Sequence, residues 1–241
     1  MKQEIINELL ELSETEKEAI IDSHLSSGVK MPIRNGIFIG KDVRIAPGAV
    51  ILPGTVLTGK TEIGPGAVIG PDTWLFNVTV GEGTHLNNVQ GLESTVGAGC
   101  DIGPYVQIRP NCKIEDNVHL GNFVETKNSN VGEGTKVSHL TYVGDSDVGK
   151  NCNFGCGTVT VNYDGKSKWR TVIGDNCFIG CNTNLIAPVT LGDYAYTAAG
   201  STITSDVPEN SLGIGRARQV NKEDWVTVRK PYKKNPGDKK D

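Results

Sequence analysis

An apolar residue, or in three phrases a threonine, recurs at about every sixth position of this sequence from Ile39 to Ile203. It is usually followed by glycine or another small residue, and a further small residue usually stands at the fifth place of the six-residue phrase. Such phrases are the signature of a parallel β-helix, in which three phrases form one triangular coil of about 18 residues with the opening residue pointing inward. The sequence therefore predicts an all-β solenoid. The openers are Ile39, Ile45, Ile51, Leu57, Ile63, Ile69, Val96, Ile102, Ile108, Ile114, Leu120, Thr126, Val131, Val137, Val143, Val148, Phe154, Thr160, Ile173, Ile179, Leu185, Leu191, Thr197 and Ile203, with an irregular stretch after Ile69 and an interruption after Thr160.

A different period precedes the hexapeptide phrases. Apolar residues between positions 4 and 25 follow the spacing of amphipathic helices. Ser13 followed by Glu16 is the pattern of a capping box, which divides this segment into two short helices, the second ending near Gly28. A solenoid has open ends at which strands can pair, so we expect these helices and the C-terminal tail to cap it. We divide the chain into a helical cap at 1–28, a linker at 29–36, a β-helix domain at 37–207 and a basic tail at 208–241.

Composition and charge narrow the classes of function. Only 6% of the residues are aromatic whereas glycine occurs 30 times, which disfavours a globule packed around large side chains. The net charge of −4 conceals a basic end, because residues 216–241 hold nine bases and four acids. We interpret this end as a solvated tail, with a phosphate site as the alternative. Nucleic acid is the poorest candidate partner, because no basic face is regularly interleaved with aromatic residues. No apolar run approaches the roughly 20 residues that span a bilayer, so we expect a cytoplasmic protein without a membrane segment.

Coil stacking converts sequence spacing into proximity, because residues three phrases apart lie one above another at about 4.8 Å. Arg109 directly follows one opener, and Lys127 directly follows the opener three phrases later, so the two are predicted to stack on neighbouring coils. Two stacked cations repel each other unless an anion or an acid lies between them. A bound anionic group is one explanation; two unrelated solvated charges, or neutralisation by Glu125, are the others.

His139 occupies a second predicted column, at the third place of its phrase. Counting phrases places Asn122 one coil below it and Cys156 one coil above it, although one phrase in each interval is a residue short. The stretch NYDGKSKWRT lengthens the next coil, above which the column continues through Cys181 to Ala199. A long, thin ligand could lie along these small side chains with its reactive end at the imidazole. The alternative is an ordinary surface histidine.

The six cysteines fall into two groups. Four of them stand at the fifth place of their phrases, where small inward side chains are needed, and we interpret them as packing residues. Cys156 and Cys181 stand at the outward third place and are predicted to be stacked neighbours. No cysteine and histidine spacing matches a zinc site, so we expect six thiols, no structural disulfide and no metal. The inward group consists of Cys100, Cys112, Cys152 and Cys177.

Longer motifs add a family resemblance to the hexapeptide pattern. The segments GPYVQIRP, GNFVETK, VSHLTYVGD, NCNFGCGTVTVNYDGKSKWRTVIGD and APVTLGDYAYTAAGSTITSDVPENSLGIGRARQ lie between residues 96 and 225. They closely resemble the C-terminal acetyltransferase domain of the bifunctional bacterial enzymes that make UDP-N-acetylglucosamine. This resemblance implies a left-handed parallel β-helix that transfers acetyl from acetyl-CoA to the amine of glucosamine 1-phosphate. It also implies a homotrimer with active sites between neighbouring chains.

The resemblance assigns roles to the residues that match the family motifs. His139 corresponds to the general base, and a neutral imidazole, with an ordinary pKa of about 6.5, can accept the proton of the attacking amine. Arg109 and Lys127 correspond to residues that hold the sugar phosphate, which suits a guanidinium and an ammonium group. Tyr142 and Asn153 correspond to further sugar-phosphate residues, and we group Lys168 of the inserted loop with them. The positions that correspond to acetyl-CoA contacts are Cys156, Asn162, Tyr163, Cys181, Ala199 and Arg216.

Two departures from the family pattern leave other functions open. Cys156 and Cys181 stand where relatives usually have small residues without a thiol, and helices rather than a glycine-rich nucleotide loop begin the chain. We therefore expect an acetyltransferase domain without a uridyltransferase domain, and its acceptor could instead be a nucleotide-linked amino sugar. A non-catalytic β-helix that binds a sugar nucleotide is the alternative from another class. A β-helix carbonic anhydrase is disfavoured, because the four histidines are too scattered for its three-histidine zinc site.

Overall fold

The computed structural model describes residues 3–229, which form two N-terminal helices, a β-helix and a short C-terminal helix. The helices are α1 at Gln3–Glu11, α2 at Glu14–Ser26 and α3 at Trp225–Arg229. The predicted capping box at the start of α2 is present. The Ser13 hydroxyl accepts a hydrogen bond from the backbone N–H of Glu16 at 3.4 Å, and the Glu16 carboxylate accepts one from the N–H of Ser13 at 2.9 Å. These bonds satisfy donors that a helix N-terminus otherwise leaves unpaired.

Short parallel strands make up the rest of the fold. In chain order, β1 to β27 are Phe38–Ile39, Arg44–Ile45, Val50–Ile51, Val56–Thr58, Glu62–Ile63, Val68–Ile69, Trp74–Val80, His85–Leu86, Val89–Val96, Asp101–Ile102, Val106–Ile108, Lys113–Ile114, His119–Asn122, Glu125–Lys127, Asn130–Val131, Lys136–His139, Tyr142–Gly144, Ser146–Val148, Asn153–Phe154, Val159–Val161, Thr171–Ile173, Phe178–Ile179, Asn184–Ile186, Val189–Leu191, Tyr196–Thr197, Thr202–Ile203 and Leu212–Gly213.

Successive strands lie on three faces in turn, so that each coil contributes one strand to each face. Face 1 consists of β1, β4, β7, β9, β11, β14, β17, β20, β23 and β26. Face 2 consists of β2, β5, β7, β9, β12, β15, β18, β21 and β24. Face 3 is a separate ten-stranded sheet of β3, β6, β8, β10, β13, β16, β19, β22, β25 and β27.

The irregular stretch of the sequence corresponds to strands that continue around a corner. β7 and β9 each belong to both face 1 and face 2. Leu75 of β7 pairs with Leu57, and Val80 pairs with Ile63. The corner between the two inward positions is therefore one residue shorter in β7 than in the coil below. This shortening is the reason why the six-residue period slips there.

The predicted phrase openers form the core of the solenoid. Every one of them is buried, with exposed fractions between 0% at Ile51 and 8% at Ile45. Their alignment follows the coil arithmetic, since Ile108 pairs with Thr126 and Thr126 pairs with Val143. Burial of this apolar column along the axis is the main stabilising contribution that a coil receives from its neighbours. The prediction of a parallel β-helix is confirmed, and the hexapeptide repeats fit the left-handed form.

The two N-terminal helices cover the first coils. Leu25 and neighbouring apolar residues of α2 pack against the core. α1 lies on the outer side of face 1, where the buried side chain of Ile5 lies beside Trp74. The Glu8 carboxylate also accepts a hydrogen bond from the backbone N–H of Gly59 at 2.9 Å. The N-terminal end of the solenoid is therefore capped, and α1 occupies the same face as Arg109 and Lys127, several coils below them.

Replacing Ile5 with alanine is expected to lower the free energy of unfolding by about 2 to 3 kcal/mol, because a buried apolar side chain is lost and its cavity remains. Ile5 is 5% exposed, whereas Leu10 on the same helix is 79% exposed. Leu10→Ala is the matched control, with an expected change within about 0.5 kcal/mol. Urea unfolding measures both variants. Equal effects would contradict the docking of α1 through Ile5.

The chain leaves the β-helix after β27, which pairs with β25 on face 3. The side chains that the structure describes between residues 214 and 229 are mostly well exposed. Trp225 of α3 lies under two cations, with Lys222 Nζ 5.1 Å and Arg229 Cζ 4.3 Å from its ring centroid. The predicted basic tail continues to residue 241, and its residues 230–241 lie outside the described part. Among residues 3–229, no helix has the length and apolar composition needed to cross a membrane.

Candidate active site

Two of the predicted cations lie in one column on face 1. Arg109 follows β11, Lys127 ends β14 and Gly144 ends β17. The pairing of Ile108 with Thr126, and of Lys127 with Gly144, places these residues one above another. The backbone N–H of Arg109 donates to the Thr126 carbonyl at 2.8 Å. The predicted stacking of Arg109 and Lys127 is therefore present.

Each stacked cation has its own carboxylate, which reduces the repulsion between them. Arg109 Nη1 lies 2.8 Å from Glu125 Oε1, and this hydrogen bond raises the pKa of the Arg109 guanidinium. Lys127 Nζ lies 3.6 Å from Asp145 Oδ2. Neutralisation by Glu125, one of the three explanations for the stack, therefore holds for Arg109. The stack does not require a bound anion, although the cations remain available to one.

Asp145 is a buried carboxylate at the edge of face 1, where it contacts Lys127 and two asparagine side chains. It lies at the corner between β17 and β18 with φ 48°, and it is 4% exposed. Its carboxylate accepts hydrogen bonds from the side-chain amides of Asn128, at 2.5 Å, and Asn162. Burial acts to raise the pKa of Asp145, but these hydrogen bonds and the charges of Lys127 and Lys168 outweigh it and lower the pKa. Asp145 is therefore a buried carboxylate that stays ionised near neutral pH.

The lowered pKa of Asp145 means that this carboxylate stabilises the fold only while it is ionised. Its contribution is complete above the unfolded-state pKa of about 3.9, and it is lost as the pH falls through the lower folded-state pKa. We expect the free energy of unfolding of the wild type to fall more steeply between about pH 5 and about pH 2 than that of Asp145→Asn. Urea unfolding over this range measures the difference. Parallel curves would contradict the lowered pKa.

The inserted segment is an ordered loop organised by Asp164. The backbone N–H of Ser167 donates to Asp164 Oδ1 at 2.6 Å, and the indole N–H of Trp169 donates to Oδ2 at 2.7 Å. The hydrogen bond from Ser167 is the largest of the contributions that lower the pKa of Asp164 to about 2. Tyr163 and Lys168 form an antiparallel bridge, and both side chains are exposed. Tyr163, a predicted contact of acetyl-CoA, thus lies beside Lys168, a predicted contact of the sugar phosphate.

Arg170 anchors the return of this loop to the coil below. Its Nε and Nη2 donate to the two carboxylate oxygens of Asp147, at 2.8 Å and 2.6 Å. Its guanidinium also donates to the backbone carbonyls of Asn128, at 3.1 Å, and Ser146, at 3.0 Å. Bidentate pairing of this kind restricts the guanidinium to one orientation. Arg170 therefore couples the loop to the corner that holds Asp145.

Tyr142 lies between the cation column and the next corner. It is the first residue of β17 and pairs in register with Glu125. A side chain at Gly144 would collide with the hydroxyl end of the Tyr142 ring, because that ring lies over Gly144. Glycine at this position therefore provides the space in which the phenol lies. Since Gly144 is the register partner of Lys127, the phenol hydroxyl lies beside the cation column.

His139 ends β16 on face 3, directly before the corner that leads to Tyr142. Its side chain is exposed, and Asn122 lies beside it in register on the coil below. The hydroxyl of Thr141 donates to the backbone carbonyl of His139 at 2.7 Å, which stabilises the corner. His139 and Tyr142 are therefore close in the chain but lie on opposite sides of one corner.

The column predicted above His139 is present, and we call it the histidine column. The N–H of Asn182 donates to the carbonyl of Cys156, and the N–H of Gly200 to that of Cys181, both at 2.8 Å. Cys156 is half-buried and Cys181 is exposed. At the top of the column, the Cδ of Arg216 lies 3.8 Å from the position that a Cβ on Gly200 would take. The registers of face 3 align the column as His139, Cys156, Cys181 and Ala199.

Three of the predicted residues lie apart from the residues with which they are predicted to act, within one chain. Asn153 begins β19 on face 3 and pairs in register with Phe178, so it lies on a different face from Tyr142. Asn162 and Tyr163 follow β20 at the edge between faces 1 and 2, across face 1 from the histidine column. A single chain therefore does not bring all the predicted residues together, and their roles stay predictions.

The sequence patterns did not single out Asp145, Asn128 and Arg170. Asp145 belongs to the VSHLTYVGD motif, and the same one-coil separation in sequence divides it from Asn128 below and from Asn162 above. Counting phrases, as for His139 and Cys156, would therefore align Asn128, Asp145 and Asn162. The pairing of Arg170 with Asp147 spans the insertion, which the coil period does not predict.

The cysteines occupy the two predicted environments. The four inward cysteines are between 1% and 4% exposed, and all six are free thiols. Burial is the largest cause that raises the pKa of the Cys100 thiol, which keeps it protonated. Within residues 3–229, no three side chains of histidine, cysteine, aspartate or glutamate are grouped in a way that could hold a metal ion.

Comparison with known proteins relates these features to a family. The model described as bacterial transferase hexapeptide (six repeats) matches residues 93–128 and 170–205. The chain is 51% identical over 233 residues to Bifunctional protein GlmU of Geobacillus sp. (strain WCH70), a match that covers 95% of this chain and 50% of that protein. It is 47% identical over 232 residues to Bifunctional protein GlmU of Clostridium botulinum (strain ATCC 19397 / Type A), covering 95% and 51%. Among solved structures, UDP-N-acetylglucosamine acyltransferase from Campylobacter jejuni is similar over 79% of each chain, with 15% identity and a TM-score of 0.42. The chain thus spans about half the length of the curated relatives it matches, and the resemblance predicted from its motifs is confirmed.

Proposed function

We propose that this chain is an N-acetyltransferase. It is a hexapeptide-repeat β-helix, and 95% of its length is similar to about half the length of each GlmU protein that it matches. The proposed reaction moves acetyl from acetyl-CoA to the amine of glucosamine 1-phosphate. The observation that carries the proposal is the corner at residues 140–141. His139 precedes this corner at the foot of the histidine column, and Tyr142 follows it beside the cation column. A proton-accepting side chain thus lies between a long, narrow surface and a cationic surface, which suits a long donor and a short anionic acceptor.

The charges on face 1 support an anionic acceptor. This region has one more positive than negative charge, with three cations, Arg109, Lys127 and Lys168, and two carboxylates, Glu125 and Asp145. The side chains of Arg109 and Glu125 are 41% and 37% exposed, so an incoming phosphate can replace Glu125 at the guanidinium. Asp145 is held by two asparagine amides and keeps Lys127 in place. The guanidinium then supplies directed hydrogen bonds, and the ammonium supplies a compact charge.

His139 is the general base of the proposed reaction. Bound acetyl-CoA supplies an acyl group that its thioester activates. The imidazole accepts the proton that the amine loses as the new C–N bond forms, so it acts in its neutral form. Backbone N–H groups at the coil corners are the candidate donors to the negative charge that develops on the thioester oxygen. Contacts remote from the reacting atoms, to the phosphate and to CoA, hold the amine within reach of the acyl carbon.

The histidine column fits the proposed donor. From His139 to Ala199 the column rises three coils, or about 14 Å at the usual strand spacing. Its upper side chains are small, and Arg216 beside Gly200 offers a cation at the far end. We assign Cys156, Cys181 and Ala199 to contacts with the thin pantetheine arm, and Arg216 to a phosphate of CoA.

A second copy of the chain completes the proposed site. Asn162 and Tyr163, at the far edge of face 1, cannot join the histidine column of their own chain without crossing that face. We therefore propose a homotrimer, the assembly that the family resemblance implies, in which these residues meet the column of a neighbouring chain. Light scattering on the purified protein should give the mass of three chains. A fully active monomer would overturn this arrangement.

The proposed activity is tested by offering the chain acetyl-CoA with a panel of amines and identifying the products by mass, which avoids interference from six thiols. We expect glucosamine 1-phosphate to exceed glucosamine in kcat/KM by at least about tenfold, because one hydrogen bond to a charged group contributes about 1.5 to 3 kcal/mol. A product formed only from UDP-glucosamine would favour the nucleotide-linked acceptor. Binding without any product would favour the non-catalytic alternative.

A further inference from the structure

Two thiols are neighbours on the histidine column, and the proposed reaction uses neither sulfur atom. Phe154 pairs with Ile179, and the same count two residues beyond each strand places Cys156 beside Cys181. The backbone hydrogen bond from Asn182 to the Cys156 carbonyl, at 2.8 Å, confirms that alignment at the corner. Neighbouring coils lie about 4.8 Å apart, and disulfides join Cα atoms that are about 4.4 to 6.8 Å apart. The backbone spacing therefore permits a bond between the two sulfur atoms.

The two cysteines also project in the same direction. Each is the first residue of an equivalent corner, and the second residue of each corner has a left-handed backbone, Gly157 with φ 77° and Asn182 with φ 54°. Corners of the same conformation give Cα–Cβ bonds that are nearly parallel. Within the described residues, neither thiol takes part in a hydrogen bond that would hold its sulfur elsewhere. Both sulfur atoms are therefore free to rotate toward each other.

The interior of the same two coils supports this proximity independently. Cys152 lies four residues before Cys156, and Cys177 lies four residues before Cys181, so the two pairs have the same separation between coils. Cys152 and Cys177 point inward and are 1% and 2% exposed. The Cys177 side chain is the largest cause that raises the pKa of the Cys152 thiol, ahead of burial. The inward pair is thus within interaction distance across one coil step. The outward pair is separated by the same step, and it is accessible to reagents.

We propose that Cys156 and Cys181 form a redox-sensitive dithiol, which low-molecular-weight disulfides convert reversibly into an intramolecular disulfide. The existence of the dithiol stands on the geometry alone, whereas its effect on acetyl transfer rests on the proposed function. The reactants are disulfides of small thiols, such as oxidised glutathione or the disulfide of CoA. These molecules are thin enough to reach the column that is assigned to acetyl-CoA.

The exchange proceeds in two balanced steps. The thiolate of one cysteine attacks a sulfur of the small disulfide RSSR; a bond forms between protein and small-molecule sulfur, the RS–SR bond breaks, and RS⁻ leaves and takes up a proton. The second cysteine then loses its proton and attacks the protein sulfur of this mixed disulfide, which expels the second RS⁻. In sum, RSSR is reduced to two RSH molecules while the two cysteine thiols are oxidised to one disulfide. Added thiol reverses both steps.

Oxidation is expected to impair use of the donor. A disulfide brings its two Cβ atoms to about 3.8 Å, whereas parallel Cα–Cβ bonds on neighbouring coils leave them about 4.8 Å apart. The two corners must therefore move together by about 1 Å. Cys156 is one coil above His139, so this movement shifts the floor of the donor surface next to the general base. Displacements of this size at a reacting group can slow a reaction by up to about 10²-fold.

The dithiol is tested on the whole chain with oxidised glutathione as the probe, after reduction and removal of the reductant. We expect the intact mass to decrease by two hydrogen atoms, and peptide mapping to find Cys156 joined to Cys181. The four buried cysteines are the internal control and should remain free thiols. Two separate glutathione adducts, or two unmodified thiols at these positions, would overturn the proposal.

Variants separate a dithiol from two independent thiols. Cys156→Ala and Cys181→Ala should each stop at a single glutathione adduct, because the second step has no attacking thiol. Cys112→Ala removes a buried thiol outside the pair and should still lose two hydrogen atoms, as the wild type does. Loss of two hydrogen atoms in Cys156→Ala or Cys181→Ala would contradict the assignment of the pair.

The effect on catalysis is measured by comparing oxidised and re-reduced wild-type protein. We expect kcat/KM for acetyl-CoA to fall at least about tenfold on oxidation and to recover when thiol is added. Unchanged kinetics in protein that carries the disulfide would overturn the effect on the donor site. Absence of transfer in the reduced protein would count against the proposed function alone, and the mass measurement would still decide on the dithiol.

Discussion

Replacing His139 with alanine is expected to slow acetyl transfer by about 10² to 10⁴-fold, the usual contribution of a positioned general base. The loss should appear mainly in kcat, because the imidazole acts on the proton that moves during reaction and is not assigned to phosphate or CoA binding. His139 is exposed, so its removal should change the free energy of unfolding by no more than about 0.5 kcal/mol. Steady-state kinetics with mass detection of the product, together with urea unfolding, measures both quantities.

His119→Ala is the matched control for this experiment. His119 lies on β13 of the same face, and its Nδ1 is 3.3 Å from the carboxylate of Asp101, outside every group assigned to the site. Its removal should leave the rate within about twofold, the change that corresponds to about 0.5 kcal/mol. A rate that is unchanged in His139→Ala would remove the imidazole from the mechanism. Equal losses in both variants would point to a general effect on face 3.

Asp145→Ala is expected to lower the free energy of unfolding by about 3 kcal/mol. Two side-chain amides lose an ionised acceptor, which contributes about 1.5 to 3 kcal/mol, and alanine in a left-handed conformation costs about a further 1 to 2 kcal/mol. Lys127 retains some access to solvent, since its side chain is 20% exposed, so its unpaired charge adds little. Chemical denaturation at neutral pH measures the loss. A change below about 1 kcal/mol would contradict the central role of this carboxylate.

Asp145→Asn separates the charge of this residue from its backbone conformation. Asparagine tolerates the left-handed conformation and has nearly the same shape. We therefore expect this variant to lose about 1 to 2 kcal/mol, less than the alanine variant. If both variants lose the same amount, the charge rather than the corner conformation determines the effect. In either case Lys127 loses its counterion, and phosphate binding at face 1 provides a second readout.

The arrangement of the outer surface of face 1 follows from these contacts. Its lower coils are covered by α1 through Ile5 and Glu8, and its upper coils carry the cation column and Tyr142. The cap therefore occupies the part of the face that lacks the site residues. Asp145, at the upper edge, is the point where the coil, the inserted loop and the cation column meet, so substitutions there should affect both stability and binding.

Counting phrases along the sequence was sufficient to predict the parallel β-helix and much of its outer surface. Consecutive coils contact each other at a nearly constant separation of three phrases, so counting phrases is equivalent to reading strand register. That count alone placed Lys127 over Arg109, aligned His139 with Cys156 and Cys181, and separated inward from outward cysteines. The burial of every opener shows why the count works: an apolar residue that slips by one position would leave the core.

The contacts between side chains, and the grouping of residues on one face, became known from the folded structure. The hydrogen bonds from two asparagine side chains to Asp145 depend on side-chain conformations. The pairing of Arg170 with Asp147 depends on the path of an insertion that breaks the period. The docking of α1 on face 1 joins segments of unrelated periodicity. The separation of Asn153 from Tyr142 follows from the triangular cross-section, because one coil turns its three strands toward three directions. A linear period describes the stacking of coils along the axis, whereas contacts around the axis and contacts with inserted segments depend on geometry that no period contains.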